Sequence, residues 1–372
     1  MFRIKSLSDA EKLVLGSTIM GTGGGGSPET GLKILKEIID RGEYVEVIDI
    51  GEAPRDKLIV TMYFIGSMAS KEKVTSIKNT INDPIIYAFE KYSEFLGEEV
   101  GALIPVELGG SNTPIVMKIA SRLNLPVIDG DLAGRAVPEL HQCSVLVFGG
   151  KLSPSIIVTD TGNVVFVKEY ASIDDYEYLA RTLSTRSNGT TVIADTPMSY
   201  ELASKAIIKN TISLCIKLGN EVIEARNNGY DPVERIIKVL NGWIIFEGIV
   251  KKTMLEDKNG FLTGEIILEG IRKYKGHILK SWIKNEHIMV WLDNQPIVMP
   301  PDLFILLEKD GTPVINSKVK PGMHVLGIAA KAPSIWRTPK GLELFGPRHF
   351  GFNYDYIPVE ELITSVLKKL IK

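Results

Sequence analysis

Cysteine is nearly absent from this chain: its 372 residues include two, Cys143 and Cys215, far apart and in no CxxC or other metal-ligand spacing. That scarcity excludes a disulfide framework and a sequence-local zinc cage, and it predicts a reducing, cytoplasmic setting. No apolar run approaches the length of a membrane span. Asp9 and Glu11 stand before the first apolar stretch, where a signal peptide would be basic, so neither export nor anchoring is expected. Neither sign of charge is in excess; the formal net charge is -2, which argues against nucleic acid as a partner. Glutamine occurs only at Gln142 and Gln295 while lysine, glutamate and isoleucine abound, a bias of hyperthermophile proteins that predicts a hot-living source.

What is present is an ordinary globular composition, 44% apolar and 24% charged, in a chain longer than one core usually supports. Two domains are expected: residues 1–170 as an N-terminal α/β domain carrying a glycine-rich loop, and 171–372 as a C-terminal α+β domain with a β-rich part at about 243–338. Ser8 with Glu11 forms a capping-box pattern that opens a helix over 9 to about 19. After the glycines, Ser27-Pro28 starts a second helix with Leu32, Leu35, Ile38 and Ile39 on one face, ended by Arg41-Gly42. Strands at 45–50, 58–65, 101–106 and 126–128 alternate with helices at 84–96 and 113–123, the pattern of a mainly parallel sheet. Asp160-Thr161-Gly162-Asn163 turns a hairpin between Ser155–Thr159 and Val164–Val167. Helices are expected at about 172–185, 198–227 and Asp231–Leu240, strands between Trp243 and Trp336, and a last helix over Val359–Ile371.

Ligands of open α/β sheets bind beyond the carboxyl ends of strands, here Gly66-Ser67, Glu107-Leu108-Gly109-Gly110-Ser111-Asn112 and Asp129-Gly130-Asp131. Gly21-Thr22-Gly23-Gly24-Gly25-Gly26 removes side chains from a loop and permits positive φ, so its amides can converge on an anion or a developing negative charge. The same run satisfies GxGxxG, with Asp49 where a ribose-binding acid would stand. A dinucleotide fold, however, needs a strand before the loop, and 13–20 has helical character. No Gly-Lys-Ser/Thr follows, so a P-loop is excluded.

The candidate catalytic groups are Asp129 and Asp131, flanking a glycine at a strand end, and Glu107. Candidate substrate contacts are Gly23, Gly24, Gly25, Gly26, Ser67, Ser111, Asn112, Arg135 and His349. Asp131, Arg135 and Glu139, spaced by four, are expected along one face of a helix, an arrangement that also suits a salt-bridged surface. The five histidines have no HxH or HExxH spacing, so any metal would need ligands distant in sequence; His287 and His349 are the first to examine. Metal and cofactor stay unassigned. Cys143 and Cys215 sit among apolar residues, where a thiol is inert.

Taken together, Gly21-Thr-Gly-Gly-Gly-Gly-Ser-Pro28, Glu107-Leu-Gly-Gly-Ser-Asn112 and Asp129-Gly-Asp-Leu-Ala-Gly-Arg-Ala-Val-Pro-Glu139 resemble the S-methyl thiohydantoin desulfurase family. In the second half Pro301-Asp-Leu-Phe304, Asp310-Gly-Thr-Pro313 and Gly346-Pro-Arg-His-Phe-Gly-Phe-Asn-Tyr354 look like that family's other domain. The resemblance implies two domains, the second with a swivelling β-rich part, and an association with hydantoinase or oxoprolinase proteins. The expected function is hydrolysis of a small cyclic amide or thioamide, with Asp131 or Asp129 as general base, loop amides receiving charge, and Asn112 and Arg135 orienting the ring. A non-catalytic subunit of a hydantoinase-like enzyme is the rival, and a dinucleotide-binding oxidoreductase the third reading. A homo-oligomer is expected.

Overall fold

The computed structural model describes residues 1–66 and 78–370. Strand β1 (Phe2–Ile4) leads into helix α1 (Leu7–Met20). The cap is Ser6: its hydroxyl accepts from the Asp9 amide, and the Asp9 carboxylate accepts from the Ser6 amide. This pair replaces the expected Ser8–Glu11 pair and starts the helix two residues early. Ser27 caps α2 (Pro28–Asp40), with Pro28 at its first position. Then come β2 (Val45–Ile48), β3 (Leu58–Phe64), α3 (Pro84–Leu96), β4 (Val100–Pro105), α4 (Ile115–Leu123) and β5 (Val127–Ile128), close to the expected alternation. Because α2 lies against both α1 and α4, its buried stripe is Ile34, Leu35 and Ile38, while Leu32 is turned outward.

Strands β2, β5, β4 and β3 run parallel side by side and form the sheet's centre. Antiparallel strands extend it on both flanks: β1 beyond β2, and on the far side β7 (Ser155–Thr159) and β8 (Val164–Val167), the predicted hairpin. After α5 (Ile173–Ser184), β9 (Thr191–Met198) enters between β3 and β7, antiparallel to both.

Two helix expectations fail for local reasons. After β6 (Gly130–Asp131) no helix forms. The Asp131 carboxylate accepts from the Ala133 and Gly134 amides and closes a turn, and Gly134 takes φ +78°, outside helical space. The long helix expected over 198–227 is divided into α6 (Tyr200–Ala206) and α7 (Thr211–Asn228). Between them, β10 (Ile208–Lys209) pairs with β6, and Asn210 at φ +63° turns the chain.

Helix α7 packs on α1 at glycines. A Cβ on Gly16 would stand 1.7 Å from the Cys215 carbonyl oxygen, and one on Gly219 would stand 1.9 Å from that of Lys12, so the two backbones touch. Helix α8 (Pro232–Leu240) leads into the second sheet, built from β11 (Trp243–Lys258), β12 (Phe261–Gly270), β13 (Ile278–Lys284), β14 (Glu286–Leu292), β15 (Gln295–Val298), β16 (Leu303–Leu307) and β17 (His324–Ala330). Its order is β15-β14-β13-β12-β11-β17-β16, antiparallel throughout. Helices α9 (Pro339–Phe345) and α10 (Val359–Leu370) follow. One apolar cluster crosses the junction, joining Leu103 and Val127 of the first sheet to Leu303, Ile305 and Trp336. The Trp336 indole donates to the Ala133 carbonyl at 2.7 Å.

Candidate functional site

The glycine run sits at that junction, with positive φ at Thr22, Gly23, Gly25 and Gly26. Each missing side chain is filled by something else. A Cβ on Gly23 would meet the Asn316 amide at 2.4 Å, on Gly24 the Glu286 Oε1 at 1.9 Å, on Gly25 the Gly109 Cα at 2.5 Å, and on Gly26 the Ser111 Oγ at 1.8 Å. The loop is therefore wedged between the Glu107–Asn112 strand end and the second sheet. Its hydrogen bonds follow suit: Gly25 O accepts from the Ser111 and Asn112 amides, Thr22 O from His287 and Gly23 O from Asn316. The loop is preceded by α1 rather than a strand, and exposed Asp49 accepts from the Gly51 amide in a 3-10 turn, so the dinucleotide context is missing.

Beside the loop opens a cleft of about 430 Å³, lined by Gly25, Gly26, Ser27, Phe64, Glu107, Ser111, Asn112, Val137, Arg181, Asn285, Glu286 and Lys318 among others. That size suits a small molecule. Two carboxylates face it, one from each half. Glu107 accepts from Asn112 Nδ2 at 2.6 Å and from the Val137 amide at 2.7 Å. Asn112 is itself fixed by β3, its Oδ1 accepting from the Phe64 amide at 3.0 Å. Glu286 accepts from the Gly25 amide at 3.3 Å through Oε1, while its buried Oε2 has no partner.

Burial pushes the Glu107 carboxyl up to about 7, against the bonds from Asn112 and Val137 and the charges of Arg181 and Arg135. Burial, and then the charge of Glu107, push Glu286 well above the usual carboxylate range. Arg181 binds the rim together: Nε donates to Glu177 at 2.7 Å, and the two Nη donate to the carbonyls of Gly66, Gly260 and Pro138.

Behind Glu107 lies a smaller chamber of about 50 Å³, lined also by Glu139, Gln142 and Asp195. Asp195 accepts from Tyr63, Tyr176 and Thr196 hydroxyls, and burial against those bonds pushes its carboxyl up to about 6.

Of the candidates, Glu107, Gly25, Gly26, Ser111 and Asn112 line the cleft, and Gly23 and Gly24 seat the loop against the second half. Ser67 lies outside the described residues. Asp129 is at the start of α7, accepting from the Ser213 amide at 2.9 Å and from its hydroxyl, and Asp131 closes its own turn; neither lines the cleft. Both are short carboxylates engaged first by nearby backbone amides, and the one oxygen of Asp131 left without a partner, Oδ1, is buried away from the cleft.

Arg135 is fully buried and has no donor left for a ligand. It binds Ala136 O, Pro301 O, Asp302 O, His287 O and Thr22 Oγ1, stitching the halves together. The expected row of Asp131, Arg135 and Glu139 is absent, since no helix carries it. His349 joins Glu139 and His141, the one group of three metal-ligating side chains found close together among the described residues.

His287 is buried, its Nδ1 2.8 Å from Ser281 Oγ; burial, aided by the Arg135 charge, lowers it to about 3. Both cysteines are buried, and burial raises their thiols. Glu286 and Arg181 are the cleft residues the sequence did not single out. The signal for Glu286 was an acid, followed by His287, opening onto the apolar run Ile288–Leu292 in a strand that is buried throughout.

The architecture and site define a two-part α/β protein with an acid-lined cleft at the junction. Family models described as S-Me-THD-like, N-terminal domain and S-Me-THD-like, C-terminal domain match residues 8–169 and 171–359. The chain belongs to the S-Me-THD-like family, as the motif resemblance implied. A crystal structure of a protein from Chromobacterium violaceum shares the fold, with a TM-score of 0.78 and 21% identity over 96% of this chain and 100% of that one. A comparison with curated proteins finds no match. Among the described residues no helix is long and apolar enough to cross a membrane.

Proposed function

We propose that this protein is a hydrolase of a small cyclic thioamide or amide of the hydantoin type, and that Glu107 and Glu286 are its acid–base pair. The observation that carries this reading is the pair itself: two buried carboxylates from different halves, both raised, facing one cleft beside the family's glycine loop. Two like charges so placed do not ionise together, so one holds a proton while the other is free to take one. Glu107, the lower of the two, is the base, and Glu286, with its unpartnered Oε2, is the acid.

Water attacks the ring carbon between the two nitrogens, and its proton passes to Glu107 as the carbon–oxygen bond forms. Charge developing on the ring heteroatom is received by the backbone amides of Gly26 and Ser27 at the cleft wall, the Gly25 amide being engaged by Glu286. For an S-methyl substrate the carbon–sulfur bond then breaks and the departing methanethiolate takes the proton of Glu286; for a thione, sulfur takes that proton first and leaves as hydrosulfide while the new hydroxyl gives its proton to solvent and becomes the ring carbonyl. Proton exchange with solvent restores both acids. Asn112 is a positioning residue that holds Glu107.

Purified protein is assayed for thiol release from a panel of thiohydantoins and S-methyl thiohydantoins. Glu107→Gln and Glu286→Gln are each expected to lower kcat by at least about 100-fold while leaving the melting temperature near that of the parent. Full activity in either variant overturns its assigned role. Activity that appears only with a co-expressed hydantoinase-like protein overturns the reading of the chain as an enzyme by itself.

A further inference from the structure

The loop after α9 carries His349 back to the segment Glu139–Gln142, and three side chains meet there. One ligating atom from each of Glu139, His141 and His349 lies within 4.8 Å of the others, and the imidazole centroids are 5.0 Å apart. The side chains are 12%, 13% and 16% exposed, enclosed yet reachable. We propose that Glu139, His141 and His349 form a binding site for one divalent transition-metal ion, zinc being the best match to two imidazoles and one carboxylate.

The surroundings fit ligands held ready. Glu139 Oε2 is 2.6 Å from His349 Nε2, while its other oxygen is engaged by Lys284. One carboxylate oxygen is thus held by Lys284, as an outer-shell partner holds a monodentate ligand, and the other, which also accepts from Gln142 Nε2 at 3.2 Å, faces the imidazole. His141 Nε2 lies 3.5 Å from the Asp174 carboxylate, and its buried Nδ1 has no hydrogen-bond partner. That leaves Nδ1 as the nitrogen available to an ion, with the Asp174 carboxylate near the other ring nitrogen.

Because Lys284 already offsets the single carboxylate, a hard oxygen-seeking cation gains little here, and a borderline ion that bonds nitrogen is selected.

Three protein ligands leave a position for water, the pattern of an open rather than a purely structural zinc site. Glu139 and Gln142 also line the chamber behind Glu107, so water at the ion would be next to that chamber.

The inference is independent of the hydrolase reading, because its readout is metal binding. The full-length chain, stripped with a chelator and dialysed, is titrated with Zn²⁺ in competition with a chromophoric chelator. One equivalent is expected. Loss of outer-shell partners alone weakens metal sites by roughly 10–100-fold. His141→Ala, His349→Ala and Glu139→Gln are therefore each expected to weaken binding by about 100-fold or more, with circular dichroism unchanged. Absence of a stoichiometric site, or parental affinity in the two histidine variants, overturns the assignment. Should a variant fail to fold, the parent protein still decides: Co²⁺ must give visible bands of a nitrogen-ligated site of low coordination number, and an aquo-like spectrum sinks the proposal.

Discussion

At the scale of single residues, the carboxylates differ in what surrounds them more than in kind. Asp131 is fully buried, and burial against the Gly134 and Ala133 amides pushes its carboxyl up to about 7. A folded-state value above the ordinary 3.8 means the native protein holds this proton more tightly than the unfolded chain does. Its contribution is therefore most favourable below about pH 4 and is lost as pH rises to about 7, a change of up to about 4 kcal/mol. Asparagine can still accept from both amides and has no proton to lose. Asp131→Asn is expected to keep turnover within about threefold of the parent, and to melt higher than the parent at pH 8 but not at pH 4. A 100-fold loss of kcat with the fold intact would return Asp131 to the chemistry that its place in the sequence suggested.

At the scale of elements, the crossing of α1 and α7 supports the first strand ends and the glycine loop, since α1 delivers the chain directly into Thr22. Gly219 lets the Lys12 carbonyl approach to where a side chain would begin. Gly219→Val must separate the helices or strain them, and it is expected to destabilise the protein by more than about 3 kcal/mol, read by chemical denaturation. A change below about 0.5 kcal/mol would show that the crossing is not needed. The motif Pro301-Asp302-Leu303-Phe304 has a comparable framework role. Asp302 accepts from the Ala332 and Val359 amides, from Arg337 and from the Tyr356 hydroxyl, tying the last strand and α10 to the sheet. The motif that carried the family resemblance here is a structural anchor.

At the scale of the whole molecule, the boundary near residue 170 divides the sequence but not the sheet. β9 lies between β3 and β7, and α7 covers α1, so the first 170 residues lack a strand from the middle of their own sheet. Expressed alone, residues 1–170 are expected to give no cooperative thermal transition and a poorly dispersed amide NMR spectrum; a well-dispersed spectrum would refute this. The cleft is divided in the same way, with Glu107 from one half and Glu286 from the other.

The alternation of strands and helices, the hairpin at Asp160-Thr161-Gly162-Asn163, the capped start at Ser27-Pro28 and the glycine loop were legible in the residues, because each depends on neighbours within a few positions. Glu107, Ser111 and Asn112 were found for the same reason, standing at the end of a recognisable strand. Glu286 and Arg181 were not, and Asp129, Asp131 and Arg135 were given ligand-facing roles, because a side chain's partner is chosen by packing. Amides two and three residues away took Asp131, α7 took Asp129, and five carbonyl or hydroxyl oxygens from both halves took Arg135. Local sequence fixes which elements form. Which buried acids face one cleft, and so can act together, is decided when segments more than a hundred residues apart close on one another and displace the water between them.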